Sequence, residues 1–138
     1  MQLDVSRHSG GGGKLSILTA WSDVFGEVGV LVLEFLCDLP LRLPTQRPGC
    51  ESVYHQYTIR LRNRDEVRAA LAERGVETGV HYPHALHQQP GFDHLGLPPG
   101  TFPVAESCAD EVLCLPMFPH LSADAVEHVA DCLRQILG

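Results

Sequence analysis

Lysine is nearly missing from this chain. Lys14, inside a glycine tract, is the single one in 138 residues. Chemistry that needs a lysine amine therefore has one candidate, far from any stretch that reads as a site. A basic surface is lacking too: the formal net charge is -7, which argues against a nucleic-acid partner. The five cysteines are Cys37, Cys50, Cys108, Cys114 and Cys132, an odd number with no Cys-x-x-Cys pair. They fit a reduced, cytoplasmic chain, not a disulfide framework. Cys108 and Cys132 are expected to face inward on helices, as small apolar residues. A clean membrane span is absent as well. The apolar stretch from Leu15 to Leu36 is interrupted by Asp23, Glu27 and Glu34, which are costly in lipid. Asp4 precedes any basic residue and no cleavage site follows a clean apolar core, which argues against a signal peptide. There is no Gly-x-Ser-x-Gly. The tract Gly10–Gly13 before Lys14 lacks the spacing and the Ser/Thr of a phosphate-binding loop.

What is present is an ordinary globular composition, 44% hydrophobic, sufficient for one domain with its own core. Residues 1–13 read as disordered. Residues 15–36 fit a helix poorly, and Val30–Leu33 would serve equally well as a strand. From Leu39 the pattern becomes orderly. Leu39, Leu41 and Leu43 alternate between prolines, as in a short edge strand. Val53–Leu61 predicts a strand with Val53, His55, Tyr57, Ile59 and Leu61 on one face and Tyr54, Gln56, Thr58 and Arg60 on the other. A helix follows, capped by Asn63 with Glu66 and stopped by Gly75. Val76–Val80 then reads as a second strand, completing a strand–helix–strand unit. Residues 82–101 predict a long loop. The next helix starts near Pro103 and carries Val104, Cys108, Val112 and Leu115 at helical spacing. Ser122 caps a last helix whose stripe is Val126, Val129, Ala130, Leu133, Ile136 and Leu137.

Charge is uneven. Arg60, Arg62, Arg64, Arg68 and Arg74 fall in one segment, while Glu106, Asp110, Glu111, Asp124, Glu127 and Asp131 follow later. These are either solvated helix faces or two segments that attract each other, within a domain or across a dimer.

The richest stretch for function is Val76–Gln89, where an apolar strand runs into a loop with His81, Tyr82, Pro83, His84 and His87. Three readings compete. The histidines could bind a metal with His94 nearby, although no carboxylate or cysteine sits at a familiar ligand spacing. One or two could act in a pocket as hydrogen-bonding or acid/base groups. Or each is bonded to backbone or water. A loop holding three histidines, Tyr82 and Gln88 favours a pocket wall over a metal site.

Several motifs together resemble one family. They are Tyr54-His55-Gln56-Tyr57 with Asn63-Arg64-Asp65; Gly75–Pro83 with Leu86-His87-Gln88-Gln89-Pro90; Phe102-Pro103-Val104-Ala105-Glu106; and Leu115–Pro119. In this order and spacing they are similar to the DegT/DnrJ/StrS sugar aminotransferases, over roughly Leu39 to Leu137. The resemblance implies an α+β fold, the small C-terminal domain of the aspartate aminotransferase superfamily, with short strands packed against three helices. It implies an atypical, irregular segment at 1–37 and the domain at 38–138. The family uses pyridoxal phosphate to move an amino group, usually from glutamate, onto a nucleotide-linked keto sugar, as homodimers with active sites near the subunit interface. In that picture His81, Tyr82 and His87 line the substrate side, and Tyr54 and Tyr57 lie on a nearby strand. The family's cofactor lysine belongs to a large domain with no counterpart here, and Lys14 is not in its context. The resemblance thus points to a truncated fragment that binds no cofactor covalently, carries no catalytic residue and is inactive alone. The alternative is a stand-alone module for a nucleotide-sugar or a protein partner.

Overall fold

A computed structural model describes residues 28–138, apart from 30, 51 and 119. The expectations for residues 1–27, Lys14 among them, lie outside the described residues. Helix α1 runs through residues 31–36. It is followed by strand β1 (Tyr57–Arg60), helix α2 (Arg64–Glu73), two 3-10 turns (Leu86–Gln88 and Pro90–Leu95), helix α3 (Pro103–Glu111), strand β2 (Val112–Leu115) and helix α4 (Ala123–Leu137). The chain is α+β, as the motifs imply.

Strands β1 and β2 pair antiparallel, Tyr57 opposite Leu115 and Ile59 opposite Leu113. Single bridges extend the sheet on both sides, Arg42 to Arg60 and Gly79 to Cys114. Alternation puts Tyr57, Ile59, Leu113 and Leu115 on one buried face. Val67 and Leu71 of α2, and Val126, Ala130 and Leu133 of α4, join them in one core, to which Val32 and Leu36 of α1 also belong. On the opposite face Thr58 Oγ1 meets its cross-strand partner Cys114 Sγ at 3.2 Å. The segment at Gly79 therefore does not neighbour β1. β2 sits between them, so the strand–helix–strand unit is split by a strand from later in the sequence.

Four local expectations are corrected. The segment expected to be a strand from Val53 begins only at Tyr57, because Tyr54 has φ 41. That positive φ breaks the alternation: Tyr54 is buried on the core side with Tyr57, and Val53 is exposed. Asn63 does precede α2, but with φ 54 and no side-chain cap. Asparagine tolerates this left-handed turn, and the turn replaces the expected capping box. Val76–Val80 contributes one bridge instead of a strand. Finally, Val112–Leu115 is not helix. α3 ends at Glu111 and enters β2 without a loop. Hydrophobic spacing alone could not distinguish the two, since Leu113, Cys114 and Leu115 are all buried.

That junction leaves carbonyls in need of donors, and Arg64 supplies them. Its Nη1 donates to Ala109 O and Val112 O, both at 3.1 Å. Its Nε lies 2.6 Å from Asp65 Oδ1, an ion contact and not an aligned hydrogen bond. Arg60 ties β1 to the same helix through Glu111 Oε2 at 2.8 Å and Ser107 Oγ at 3.2 Å. So part of the basic segment does meet the acidic one, within this domain. The two remaining caps follow expectation. Gly75, at φ 77, ends α2 in a Schellman arrangement: its N–H donates to Ala72 O and the Val76 N–H to Leu71 O. Ser122 Oγ accepts from the Ala125 N–H at the start of α4.

Replacing Arg64 by leucine should lower stability by about 2–4 kcal/mol, because it strands carbonyls at the helix–strand junction. Urea unfolding of the two chains checks this, and a loss no larger than that of an exposed arginine would refute the capping role. Gly75→Ala should cost about 1 kcal/mol. The cause is φ alone, since an added Cβ at that position meets nothing within 4 Å.

Candidate functional site

The histidine segment leaves the sheet at Gly79, whose N–H donates to Cys114 O and whose O accepts from the Cys114 N–H. Two residues on, the peptide between His81 and Tyr82 is cis. His81 folds back over Gly79, so a Cβ there would stand 3.1 Å from His81 Nε2. Both side chains are exposed, Tyr82 at 71%, with their rings edge to face at 5.7 Å.

His87 behaves differently. It is 9% exposed, and its Nε2 lies 3.0 Å from Glu106 Oε1. The ring of Phe102 packs edge-on against its imidazole at 5.0 Å. Glu106 also accepts the Gly100 N–H at 2.7 Å and the Phe102 N–H at 3.1 Å. These bonds hold its carboxyl below the usual carboxylate range, the Gly100 amide first, then the Phe102 amide, with His87 adding to them. The neighbouring 3-10 turns have poorer internal hydrogen-bond geometry than an α-helix.

Tyr54 and Tyr57 form a separate pair. Their rings stack at 5.4 Å, and Gln46 Nε2 donates to the Tyr54 hydroxyl at 3.3 Å. Burial first, and Tyr54 second, raise the Tyr57 phenol far above its ordinary range, so it stays neutral. Gly29 lies beneath Tyr54 so closely that a Cβ there would overlap its ring. Among the described residues no hydrogen bond or ring contact joins the tyrosine pair to His81 and Tyr82 or to His87. His84 is exposed, and His94 bonds locally to Gly91 O. Among the described residues no group of three histidine, cysteine or acidic side chains could hold a metal, so the four histidines do not converge as the metal reading required.

Sequence reasoning missed Glu106 as a site residue. A faint signal existed: an acid in the first turn of a helix that opens on Pro103. Its partner His87 lies 19 residues away, and nothing in the spacing pairs them.

The described residues thus combine an α+β fold with an anchored, partly exposed loop. The family model for the DegT/DnrJ/EryC1/StrS aminotransferase family matches residues 18–134, and the chain belongs to that family. It is 47% identical over 100 residues to the erythromycin biosynthesis sensory transduction protein EryC1 of Saccharopolyspora erythraea, covering 72% of this chain and 27% of that protein. It is 36% identical over 123 residues to the dTDP-3-amino-3,4,6-trideoxy-alpha-D-glucose transaminase of Streptomyces venezuelae, covering 88% and 32%. The crystal structure of S. venezuelae DesV in complex with a ketimine intermediate superimposes with a TM-score of 0.83 at 35% identity, covering 89% of this chain and 33% of that one. The chain thus spans about a third of the length of the relatives it matches.

The family depends on pyridoxal phosphate. The described residues do not fit its covalent attachment, since none of them is a lysine.

The lowered pKa of Glu106 fixes the sign of a pH effect. The unfolded carboxyl, near 4.5, takes up protons before the folded one. The bonded carboxylate therefore stabilises the fold above that pH, and the contribution disappears as pH falls through the lower folded value. Unfolding curves of wild type and Glu106→Gln from pH 7 to pH 3 should differ by a constant amount at first and converge at the acid end. A difference that grows on acidification would contradict the assignment.

Proposed function

We propose that this chain forms the substrate-facing wall of a cytoplasmic pyridoxal-phosphate-dependent aminotransferase acting on nucleotide-linked keto sugars. In this reading residues 38–138 are the small domain, His81 and Tyr82 are the groups that meet the sugar nucleotide, and Tyr54 and Tyr57 brace the sheet behind them. His87 belongs to the same wall from its buried position. A separate cofactor-bearing large domain supplies the amine for the cofactor, and the chain is inactive without it.

One observation carries the reading. The exposed His81–Tyr82 pair opens a segment that is fixed at both ends yet leaves large apolar side chains uncovered. Among the described residues, six of the nine exposed large hydrophobics fall within 82–104: Tyr82, Leu86, Leu95, Leu97, Phe102 and Val104. A monomer rarely leaves such a surface in water unless something covers it. Relatives named for dTDP-linked and UDP-linked amino sugars supply the substrate class. The imidazole of His81 and the phenol of Tyr82 can each hydrogen-bond a phosphate or a sugar hydroxyl.

A dTDP-sugar titrated into the isotope-labelled chain should shift the amide signals of residues 79–82 and His84 in fast exchange, and weakly, since one wall of a pocket recovers little of the cost of association. His81→Ala with Tyr82→Phe should remove the shifts and leave the α4 signals in place. Pyridoxal phosphate followed by borohydride should leave no stoichiometric adduct at a single lysine. Shifts confined to α4, or a specific lysine adduct, would overturn the reading.

A further inference from the structure

We propose that Glu106 is a positioning residue whose single carboxylate clasps the stretch from His87 to Phe102 and so fixes the surface that displays Leu86, Leu95 and Phe102. This role is independent of what the surface binds.

Three donors converge on the carboxylate from two separated points of the chain. Oε1 takes the His87 Nε2–H and the Phe102 N–H, and Oε2 takes the Gly100 N–H. Between those points the chain makes local turns only: Gln88 N–H to Ala85 O, Phe92 N–H to Gln89 O, Gly96 N–H to Asp93 O and Thr101 N–H to Pro98 O. Each spans three or four residues, so none joins the two ends of the stretch. Glu106 does, and it does so from the first turn of α3, whose other end is held by Arg64. The Glu106 side chain is 16% exposed.

The chemistry of the clasp also fixes the imidazole. An ionised carboxylate accepts and cannot donate, so the His87 proton must sit on Nε2. Phe102 packs edge-on to the ring at 5.0 Å. Substitutions at position 106 then grade in a defined way. Glutamine keeps one accepting oxygen for His87 and Phe102 but turns an NH2 towards the Gly100 N–H, donor against donor. Alanine releases all three.

Amide hydrogen exchange and the ring-nitrogen spectrum of His87, in the full 138-residue chain, test this. The wild type should show slow exchange at Gly100 and Phe102 and a proton on His87 Nε2. Glu106→Ala should speed exchange at both amides at least tenfold and give His87 a mixture of tautomers, with Ala130 and Leu133 in α4 unchanged. Glu106→Gln should speed Gly100 alone. Unchanged protection of both amides in Glu106→Ala would overturn the proposal, and so would an equal rise at α4, which would make the effect global. Should the alanine variant fail to fold, the glutamine variant decides: selective loss at Gly100 supports the clasp, and wild-type protection there overturns it.

Discussion

The fold depends on how one arginine ends one helix. α3 passes into β2 with no intervening loop, and a helix end leaves carbonyls that need donors. Arg64, buried at the start of α2, reaches across to Ala109 O and Val112 O. A guanidinium suits this task because its planar fork offers several donors in fixed directions. A lysine would offer a more strongly hydrated point charge, harder to bury. The bond has two consequences at once. It allows β2 to begin where α3 stops, and it locks α2 against the helix that precedes β2.

The candidate site inherits its geometry from that junction. β2 is the strand that Gly79 pairs with, so the position of His81 and Tyr82 is set two residues beyond a β2 bridge. The far end of the same segment is held by Glu106, on the helix that Arg64 terminates. Both ends of the histidine segment are therefore tied to one helix–strand unit. What lies between is free to be irregular. Such an arrangement, a rigid frame carrying an irregular exposed segment, is how binding surfaces are commonly built.

Much of this was legible in the sequence, for identifiable reasons. The left-handed stop at Gly75, the Ser122 cap and the stripe on α4 rest on interactions within a few residues, and those can be read locally. The strand at Tyr57–Arg60 announced itself by alternation. The failures have two causes: a partner distant in sequence for Val112–Leu115 and His87, and a positive backbone φ for Asn63 and Tyr54. Val112–Leu115 has spacing that suits a helix, and becomes a strand because β1 offers it a ladder from Tyr57 to Arg60. Asn63 looked like a side-chain cap, and instead takes a left-handed turn that the sharp exit from β1 demands. His87 stood among three similar histidines, and only the structure shows it buried against Glu106 while His81 and His84 stay exposed. Alternation places Tyr54 on the wrong face because a positive φ is invisible to a period-two pattern.

The most direct test of the central claim is photo-crosslinking with a diazirine-bearing dTDP-sugar, mapped by mass spectrometry and competed with the unmodified nucleotide sugar. Saturable adducts are expected at His81 and Tyr82. Adducts concentrated on α4, or labelling that competitor does not reduce, would contradict the claim that this segment faces the substrate.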